Sequence, residues 1–333
     1  MAPAADSPAP DKRLVPAPGA VERFARCLDA IWPEARGSAD ALLGLAVSGG
    51  PDSCALLLLA AAALPGRVEA ATVDHGLRAE SAAEADAVAA LCVRLGVAHR
   101  TCAVTVEPGN IQSGARQARY RALGIWASER GLAALATAHH ADDQAETLLM
   151  RLNRASGVSG LAGARARGKA PGGETLLLRP LLDWRRSELE AVVERAGIEA
   201  ASDPSNLDDR FDRVRLRKAL ADAEWLDVEA VARSASHLAD ADLALEWAAR
   251  REWDEAVRSG GMGLTYRPRA PRAIVLRVIA RIVAQLDGEE PRGGAVARLL
   301  GELAAGRSAS IGGLVARPGP DGWEFARAPR RRA

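Results

Sequence analysis

Short apolar runs alternate with helical patterns from residue 42 to about residue 200, and this rhythm constrains the fold more than any other feature of the sequence. Strands that alternate with helices pair in parallel, so we expect an α/β domain whose parallel sheet carries helices on both faces. The predicted strands span 43–47, 68–73, 97–104, 133–138 and 175–178, and the predicted helices span 53–63, 82–95, 112–130, 143–155 and 186–196.

The strand signal fades from residue 207 onward, where helical periodicity takes over. We therefore predict a second, smaller and mostly helical domain over 223–333, after an α/β domain over 21–222. A PGPDG turn between two apolar stretches near the end predicts a terminal hairpin. The first 20 residues are rich in Pro and Ala and are predicted to form a disordered tail. Further helices are predicted at 207–220, 227–257, 271–286 and 293–305.

Membrane and secreted classes are not favoured. The longest apolar run, 54–64, is shorter than the roughly 18 residues that a membrane span needs. Residues 1–20 carry acidic side chains where a secretory signal has basic and then apolar ones. The four cysteines show no C-x-x-C spacing, which disfavours disulfide, zinc and iron–sulfur sites. These features predict a cytoplasmic protein.

The segment SGGPDS, residues 48–53, follows the first predicted strand and opens the first helix. In an open α/β sheet this loop is a common anion site. Gly49 and Gly50 allow close approach of backbone N–H groups, and the helix dipole adds positive potential. Ser48 and Ser53 supply hydroxyl donors, while Asp52 suits a magnesium ion or a helix cap. The loop therefore predicts a phosphate site, although glycines in a tight packing turn are the structural alternative.

Two better-known phosphate motifs are absent. No lysine follows these glycines as in G-x-x-x-x-G-K-[ST], and the G-x-G-x-x-G dinucleotide pattern does not occur. The phosphate site must therefore be of another kind.

Two further motifs follow predicted strands or lie on an adjacent helix. In VDHGLR, Asp74 is placed to accept hydrogen bonds from a nucleoside and His75 to stack or donate, with a capping role as the alternative for Asp74. In ARQARYR, Arg116 and Arg119 share a helix face next to Tyr120. A solvated basic face is the alternative for these two arginines.

The motif TAHHADDQAET, residues 137–147, carries the most chemistry. Asp143 and Glu146 lie one helical turn apart and away from the buried stripe, where two carboxylates suit a cationic substrate or magnesium. His139 and His140 do not indicate zinc, because the spacing is not H-E-x-x-H and no thiolates accompany them.

The order of motifs SGGxDS, DHGLR, AR-x-x-RY, HH-x-DDQAET, R-x-x-R-x-SG-x-x-GL, RPLL and D-x-SN resembles that of the bacterial tRNA(Ile)-lysidine synthetases, members of the PP-loop ATP pyrophosphatase superfamily. The resemblance covers about 48–217. It implies a Rossmann-like, adenine nucleotide alpha hydrolase-like fold. It also implies ATP-dependent ligation of free L-lysine to C2 of the wobble cytidine of tRNA(Ile) with anticodon CAU, through an adenylated cytidine, giving lysidine, AMP and pyrophosphate.

The resemblance assigns roles residue by residue. ATP is implied as co-substrate with Mg²⁺, residues 21–222 as the catalytic domain and 223–333 as the tRNA-binding domain, in a possible homodimer. Which carboxylate acts as base stays open between Asp143 and Glu146. Implied for ATP are Ser48, Gly49, Gly50, Pro51, Asp52, Ser53, Asp74, His75 and Arg119; for magnesium, Asp52; for catalysis, Asp52, Arg116, Asp143 and Glu146; for lysine, Asp143 and Glu146; for tRNA, Arg213 and Arg217.

One position departs from the family pattern. Where members commonly show R-N-R-[IL]-R, this chain reads DRVRLR, with Val214 in place of Asn. Arg213 and Arg217 remain one helical turn apart and suit tRNA phosphates, with a surface helix stripe as the alternative.

Three other functions are compatible with the loop. A tRNA thiolase of the same superfamily would need paired cysteines, which are absent from the sequence. An amidating enzyme for a small molecule has no use for the Arg-bearing helical appendage. A catalytically silent ATP- or RNA-binding protein has little need for Asp52, Asp143 and Glu146 beside bound phosphates.

Overall fold

The computed structural model describes residues 12–38, 40–74, 76, 80–104, 111–201, 210, 212–260 and 263–328. The chain divides into two compact units, Met1–Leu238 and Ala239–Ala333. Each unit has a hydrophobic core of its own.

The first unit is built on a six-stranded sheet with the order β3-β2-β1-β4-β6-β5. Five strands are parallel, which confirms the predicted α/β class, and β5 pairs antiparallel with β6. Strand β5 lies in the Gly-rich segment 163–174, which the sequence indicates only as a loop because the strand is short and polar. The strands are β1 (Leu43–Ala46), β2 (Val68–Asp74), β3 (Ala98–Ala103), β4 (Ala134–Ala136), β5 (Arg167–Lys169) and β6 (Leu176–Leu178).

Helices cover both faces of this sheet. The second helix is apolar all round, and Leu56, Leu57, Leu58 and Leu59 are completely buried in the core of one face. Trp126 of the fourth helix lies in the core of the other face. The helices are α1 (Pro18–Ile31), α2 (Pro51–Ala63), α3 (Glu80–Leu95), α4 (Ile111–Arg130), α5 (Ala141–Leu152), α6 (Val158–Leu161), α7 (Arg186–Arg195) and α8 (Asp212–Ala221).

The predicted disordered tail extends too far into the chain. Residues 1–11 lie outside the described part, but Leu14 is buried in the core of the first unit and α1 begins at Pro18. The Pro/Ala-rich composition suggested disorder. Proline is nevertheless well tolerated in the first turn of a helix, where Pro18 lies.

The second unit combines helices with an antiparallel sheet of order β7-β8-β11-β10-β9. Helical residues predominate, but the sheet is larger than the predicted hairpin of β10 and β11. The sequence did not indicate the other three strands because they are short. Its core joins Ile279 and Ile282 to Leu314 and Phe325. No helix in the described part of the chain is long and apolar enough to cross a membrane. The elements are α9 (Val228–Ala256), which begins in the first unit, α10 (Arg272–Asp287), α11 (Gly293–Ala304), β7 (Val257–Gly260), β8 (Gly263–Tyr266), β9 (Ala309–Ile311), β10 (Leu314–Gly319) and β11 (Gly322–Arg327).

Candidate active site

The carboxyl ends of β1, β4 and β6 lie side by side, because β4 pairs in parallel with both of its neighbours. Each end carries one of the sequence motifs: SGGPDS follows β1, the HHADD segment follows β4 and Arg179 follows β6. Ligands of open α/β sheets bind at this edge.

Ser53 organises the loop after β1. Its hydroxyl donates to the carbonyl of Gly50 (2.9 Å) and accepts from the backbone N–H of Ser48 (3.1 Å). The Ser48 hydroxyl lies 3.2 Å from the same oxygen and donates to it, since the Ser53 proton is already used. Gly49 has a φ of +89°, a conformation that favours glycine, and its carbonyl accepts from the N–H of Ala201. The hydroxyl groups of the two serines thus hold the loop together through hydrogen bonds within the loop.

Helix α2 begins directly after this loop. Gly50 is its N-cap and caps no N–H with a side chain, and Pro51 occupies the first turn. The N-terminal N–H groups of α2 are therefore available to an anion. Asp52, in the same turn, has a buried Oδ1 with no hydrogen-bond partner in the described structure. An unpaired carboxylate oxygen beside an anion site fits a divalent cation.

His140 lies among three carboxylates and is completely buried. Its Nε2 is 3.5 Å from Oδ2 of Asp52 and from Oδ2 of Asp143, and its Nδ1 is 3.5 Å from Oδ2 of Asp142. Burial lowers the pKa of His140, but the neighbouring carboxylates of Asp142, Asp52 and Asp143 outweigh burial and raise the pKa to about 9. The imidazolium therefore links the loop after β1 to the start of α5.

The carboxylates of Asp143 and Glu146 are paired with the two arginines predicted to contact tRNA. Arg213 donates from Nε to Glu146 and from Nη2 to Oδ1 of Asp143 (2.7 Å). Arg217 donates from Nε to Oε1 of Glu146 (2.8 Å). Glu146 is buried, and burial raises its pKa, but the two guanidinium groups outweigh burial and lower the pKa. The structure thus brings together four residues to which the sequence analysis assigns two separate tasks.

Val214, at the departure from the family pattern, is the one buried side chain described in α8. A buried valine needs no hydrogen-bond partner there, whereas an asparagine would. With valine at this position, Arg213 and Arg217 both reach Glu146.

Arginines and an uncharged histidine form the other side of the site. The guanidinium of Arg116 lies 5.1 Å from the ring centre of the buried Tyr120. Burial lowers the pKa of Arg119. His139 accepts or donates at Nδ1 to the Thr137 hydroxyl (2.9 Å). Burial lowers the pKa of His139 strongly; the charge of Asp143 opposes this, and Arg179, Arg119 and Arg116 lower the pKa further. His139 is therefore neutral at pH 7.

Other predicted residues are placed less directly. Asp74 Oδ1 accepts from the N–H of Gly76 (2.8 Å) and the hydroxyl of Ser81 (2.7 Å), so the carboxylate orders the turn after β2. His75 and the DPSN segment, 203–206, lie outside the described residues.

Sequence reasoning missed three residues of this site. Asp142 accepts from the Arg186 N–H (2.8 Å) and from the Arg185 guanidinium, while His140 is surrounded by carboxylates. Arg179 is 9% exposed at the end of β6. The sequence signal for Arg179 was its position directly after a strand, in the RPLL motif. For His140 the sequence shows Asp142 and Asp143 nearby, but the approach of Asp52 follows only from the fold.

Comparison with known proteins gives the chain its family. The model of the PP-loop domain matches residues 21–224. The tRNA(Ile)-lysidine synthase of Novosphingobium aromaticivorans is 49% identical over 319 residues, covering 95% of this chain and 96% of that protein. That of Zymomonas mobilis is 40% identical over 297 residues, covering 87% and 89%.

A solved structure supports the fold alone. The U34-tRNA thiolase NcsA of Methanococcus maripaludis, with its [4Fe-4S] cluster, is similar with a TM-score of 0.54 and 16% identity, over 66% of this chain and 78% of that one. With its PP-loop domain and full-length relatives, this chain belongs to the tRNA(Ile)-lysidine synthase family of PP-loop proteins.

Proposed function

We propose that the protein ligates free L-lysine to C2 of the wobble cytidine of tRNA(Ile) with anticodon CAU, using ATP and giving lysidine, AMP and pyrophosphate. The observation that carries the proposal is 49% identity along 95% of the chain to a tRNA(Ile)-lysidine synthase. The geometry supports it, because a phosphate loop and a pair of carboxylates share one edge of the sheet.

The first step activates a poor electrophile. The cytidine O2 attacks the α-phosphorus of ATP, a P–O bond forms there, and pyrophosphate leaves. The loop of Ser48–Ser53 and the N–H groups of α2 would hold the phosphates. Asp52, whose Oδ1 has no described partner, would hold a magnesium ion, which screens phosphate charge when bound. Arg116 and Arg119 would stabilise negative charge on the nucleotide.

The second step is displacement of AMP by lysine. Asp143 or Glu146 takes a proton from the ε-ammonium group, the resulting amine attacks C2, and the C2–O bond to the adenylate breaks to release AMP. We propose Asp143 and Glu146 as the residues that hold the lysine ammonium group. Of the two, we propose Asp143 as the base, because Glu146 accepts from the guanidinium groups of both Arg213 and Arg217, whereas among the described residues Asp143 accepts only from the guanidinium of Arg213.

The tRNA contacts follow from the same ion pairs. The Arg213 side chain is 44% exposed although it binds two carboxylates, so part of its guanidinium can meet a phosphate. We propose that Arg213 and Arg217 order the carboxylates and contact tRNA from their exposed sides, and that residues 223–333 bind the body of the tRNA. The cytoplasmic location and a homodimer stay predictions.

The test is incorporation of labelled lysine into an unmodified tRNA(Ile) transcript with anticodon CAU, in the presence of ATP and magnesium. We expect incorporation by the native chain and its loss in Asp52→Ala and Asp143→Ala. Glu174→Ala removes an exposed carboxylate on the loop after β5 and serves as the matched control.

Each of the other outcomes would indicate a different function. Pyrophosphate release without lysine transfer would identify another PP-loop tRNA-modifying enzyme that adenylates its substrate. ATP binding without pyrophosphate release would identify a catalytically silent ATP- or RNA-binding protein.

A further inference from the structure

Arg179 is a buried cation at the end of β6. Its Nη1 donates to the carbonyl of Arg165 (2.6 Å), and its buried Nε has no hydrogen-bond partner in the described structure. Burial lowers the pKa of Arg179; the Tyr120 hydroxyl, with which it hydrogen-bonds, opposes this. A neutral carbonyl and a hydroxyl leave the positive charge uncompensated.

Two more guanidinium groups lie near the same tyrosine. Arg116 lies over the Tyr120 ring, and the positive charge of Arg116 acts on both Arg119 and Arg179. Among the described residues, no aspartate or glutamate forms an ion pair with Arg116, Arg119 or Arg179. This distinguishes them from Arg130, Arg185, Arg213 and Arg217, each of which meets a carboxylate.

Such an arrangement is unfavourable unless an anion completes it. Buried charges in proteins are normally paired, and three like charges around one tyrosine repel each other. An orphaned Nε–H in a planar guanidinium fork also suits a carboxylate or phosphate, which accepts two parallel hydrogen bonds. The cluster therefore has the charge and the geometry of an anion site.

The position of the cluster selects among the anions of the reaction. The phosphates have their own loop after β1, and β4 separates β1 from β6 in the sheet. Arg179 directly follows β6, which pairs with β4, and Asp143 lies in the first turn of the helix after β4, so Arg179 lies at a strand end beside the proposed lysine carboxylates. An amino acid presents a cation at one end and a carboxylate at the other, and matches a site with both signs of charge.

We infer that Arg179 binds the α-carboxylate of the incoming lysine, while Arg116 and Arg119 keep the nucleotide role proposed above. The inference rests on the proposed function and deepens it. Fixing the carboxylate at β6 directs the side chain toward α5, where the ε-amine meets Asp143. The subsite also explains how the α-amino acid would be preferred over diamines of similar length, because a diamine leaves the Arg179 guanidinium unpaired.

The test compares lysine with lysinamide, which lacks the carboxylate, in the native chain and in Arg179→Gln. For native protein we expect kcat/KM to be roughly 100-fold higher with lysine than with lysinamide, the scale of a lost buried charge pair. Arg179→Gln should remove most of this preference while leaving the KM for ATP and the turnover of lysinamide within about threefold. Arg167→Gln is the matched control, because it removes an arginine of β5 that pairs with Glu34.

Different results would overturn the inference. Equal losses with lysine and lysinamide would indicate a structural role, and a raised KM for ATP would identify phosphate as the occupant. If Arg179→Gln does not fold, Arg179→Lys is compared in the same way, because it keeps the buried positive charge and loses the planar fork that binds a carboxylate through two hydrogen bonds.

A second readout separates this inference from the proposed function. Lysine should raise the melting temperature of the native protein more than lysinamide does, and Arg179→Gln should abolish the difference. That difference without lysine transfer to tRNA would leave the subsite standing and refute the reaction. Transfer to tRNA without any dependence on the carboxylate would refute the subsite alone.

Discussion

The charges that surround His140 come partly from its own segment and partly from a distant one. His140 is buried between Asp52, Asp142 and Asp143, and two of those aspartates follow it directly in the chain while the third lies on another helix. A buried imidazolium among carboxylates is stable only when all partners are present. The geometry of the phosphate loop therefore depends on a residue outside the loop.

This charge makes stability depend on pH. The pKa of His140 is about 9 in the folded protein against an ordinary value near 6.5, so its contribution is fully present below pH 6.5 and is lost as pH rises through 9. Without magnesium and nucleotide, native protein should exceed His140→Asn in unfolding free energy by roughly 3 kcal/mol at pH 6, and the gap should close by pH 10. Urea unfolding measures this gap.

The exposed His237 supplies the control. His237→Asn should track the native protein at every pH. A gap between native protein and His140→Asn that is constant with pH would contradict a charged His140.

Gly49 is the residue whose backbone matters most to the loop. Its φ of +89° is unfavourable for any residue with a Cβ, so Gly49→Ala should cost about 1–2 kcal/mol of stability and weaken ATP binding by at least tenfold. Gly66 has a φ of +74° with open space around it, far from the site in the turn before β2. Gly66→Ala should lose similar stability and bind ATP as the native protein does, in a calorimetric titration. Equal ATP affinity in both variants would show that the loop tolerates the strain.

At the scale of elements, ion pairs attach α8 to α5. The one buried side chain described in α8 is Val214, so apolar packing contributes little to its position. Arg213 and Arg217 instead bind Asp143 and Glu146 across the two helices. The carboxylates proposed to hold lysine and the position of α8 are therefore parts of one network.

Breaking this network should release α8. Glu146→Gln removes the buried counter-charge that Arg213 and Arg217 share and leaves only Asp143 to pair with Arg213, so we expect a loss of about 3 kcal/mol and faster amide exchange over 212–221. Hydrogen–deuterium exchange with mass spectrometry measures the second effect. Arg154→Ala breaks an exposed ion pair to Asp212 of α8 and should cost less than about 1 kcal/mol. Unchanged exchange in α8 after Glu146→Gln would mean that apolar contacts hold the helix.

At the scale of the whole molecule, the two units have separate cores. The first buries the faces of a mostly parallel sheet, and the second packs α10 and α11 on an antiparallel sheet. All described residues of the candidate site lie at or before Arg217, in the first unit.

A fragment that consists of the first unit should therefore fold. The fragment has to keep the first turns of α9, which belong to the first unit, so it ends at residue 238. Residues 1–238 contain the sheet, its covering helices and the site, so we expect a cooperative thermal transition and ATP affinity within about threefold of the full chain, with tRNA affinity reduced at least tenfold. Calorimetry and filter binding measure the three quantities. A fragment that binds tRNA as tightly as the full chain would refute a tRNA-binding role for 239–333, the larger part of the proposed tRNA-binding domain.

The sequence by itself determined the α/β class, the positions of most elements and the phosphate loop. These follow from local patterns: apolar runs fix strands and helices, and SGGPDS places its glycines and serines within one turn. It did not indicate α1, β5 or the strands β7 to β9, whose residues become buried or paired only against distant segments. The sequence analysis also assigned Asp143 and Glu146 to lysine and Arg213 and Arg217 to tRNA, whereas the structure joins the four residues by ion pairs.

Only the tertiary structure decided which charged residues pair with each other. His140 with Asp52, Arg213 with Asp143 and Glu146, and the uncompensated Arg179 are relations between segments that lie far apart in the chain. The energy of a charge depends on its burial and on the charges that the fold gathers within a few ångströms, and neither quantity is a property of a local stretch of sequence.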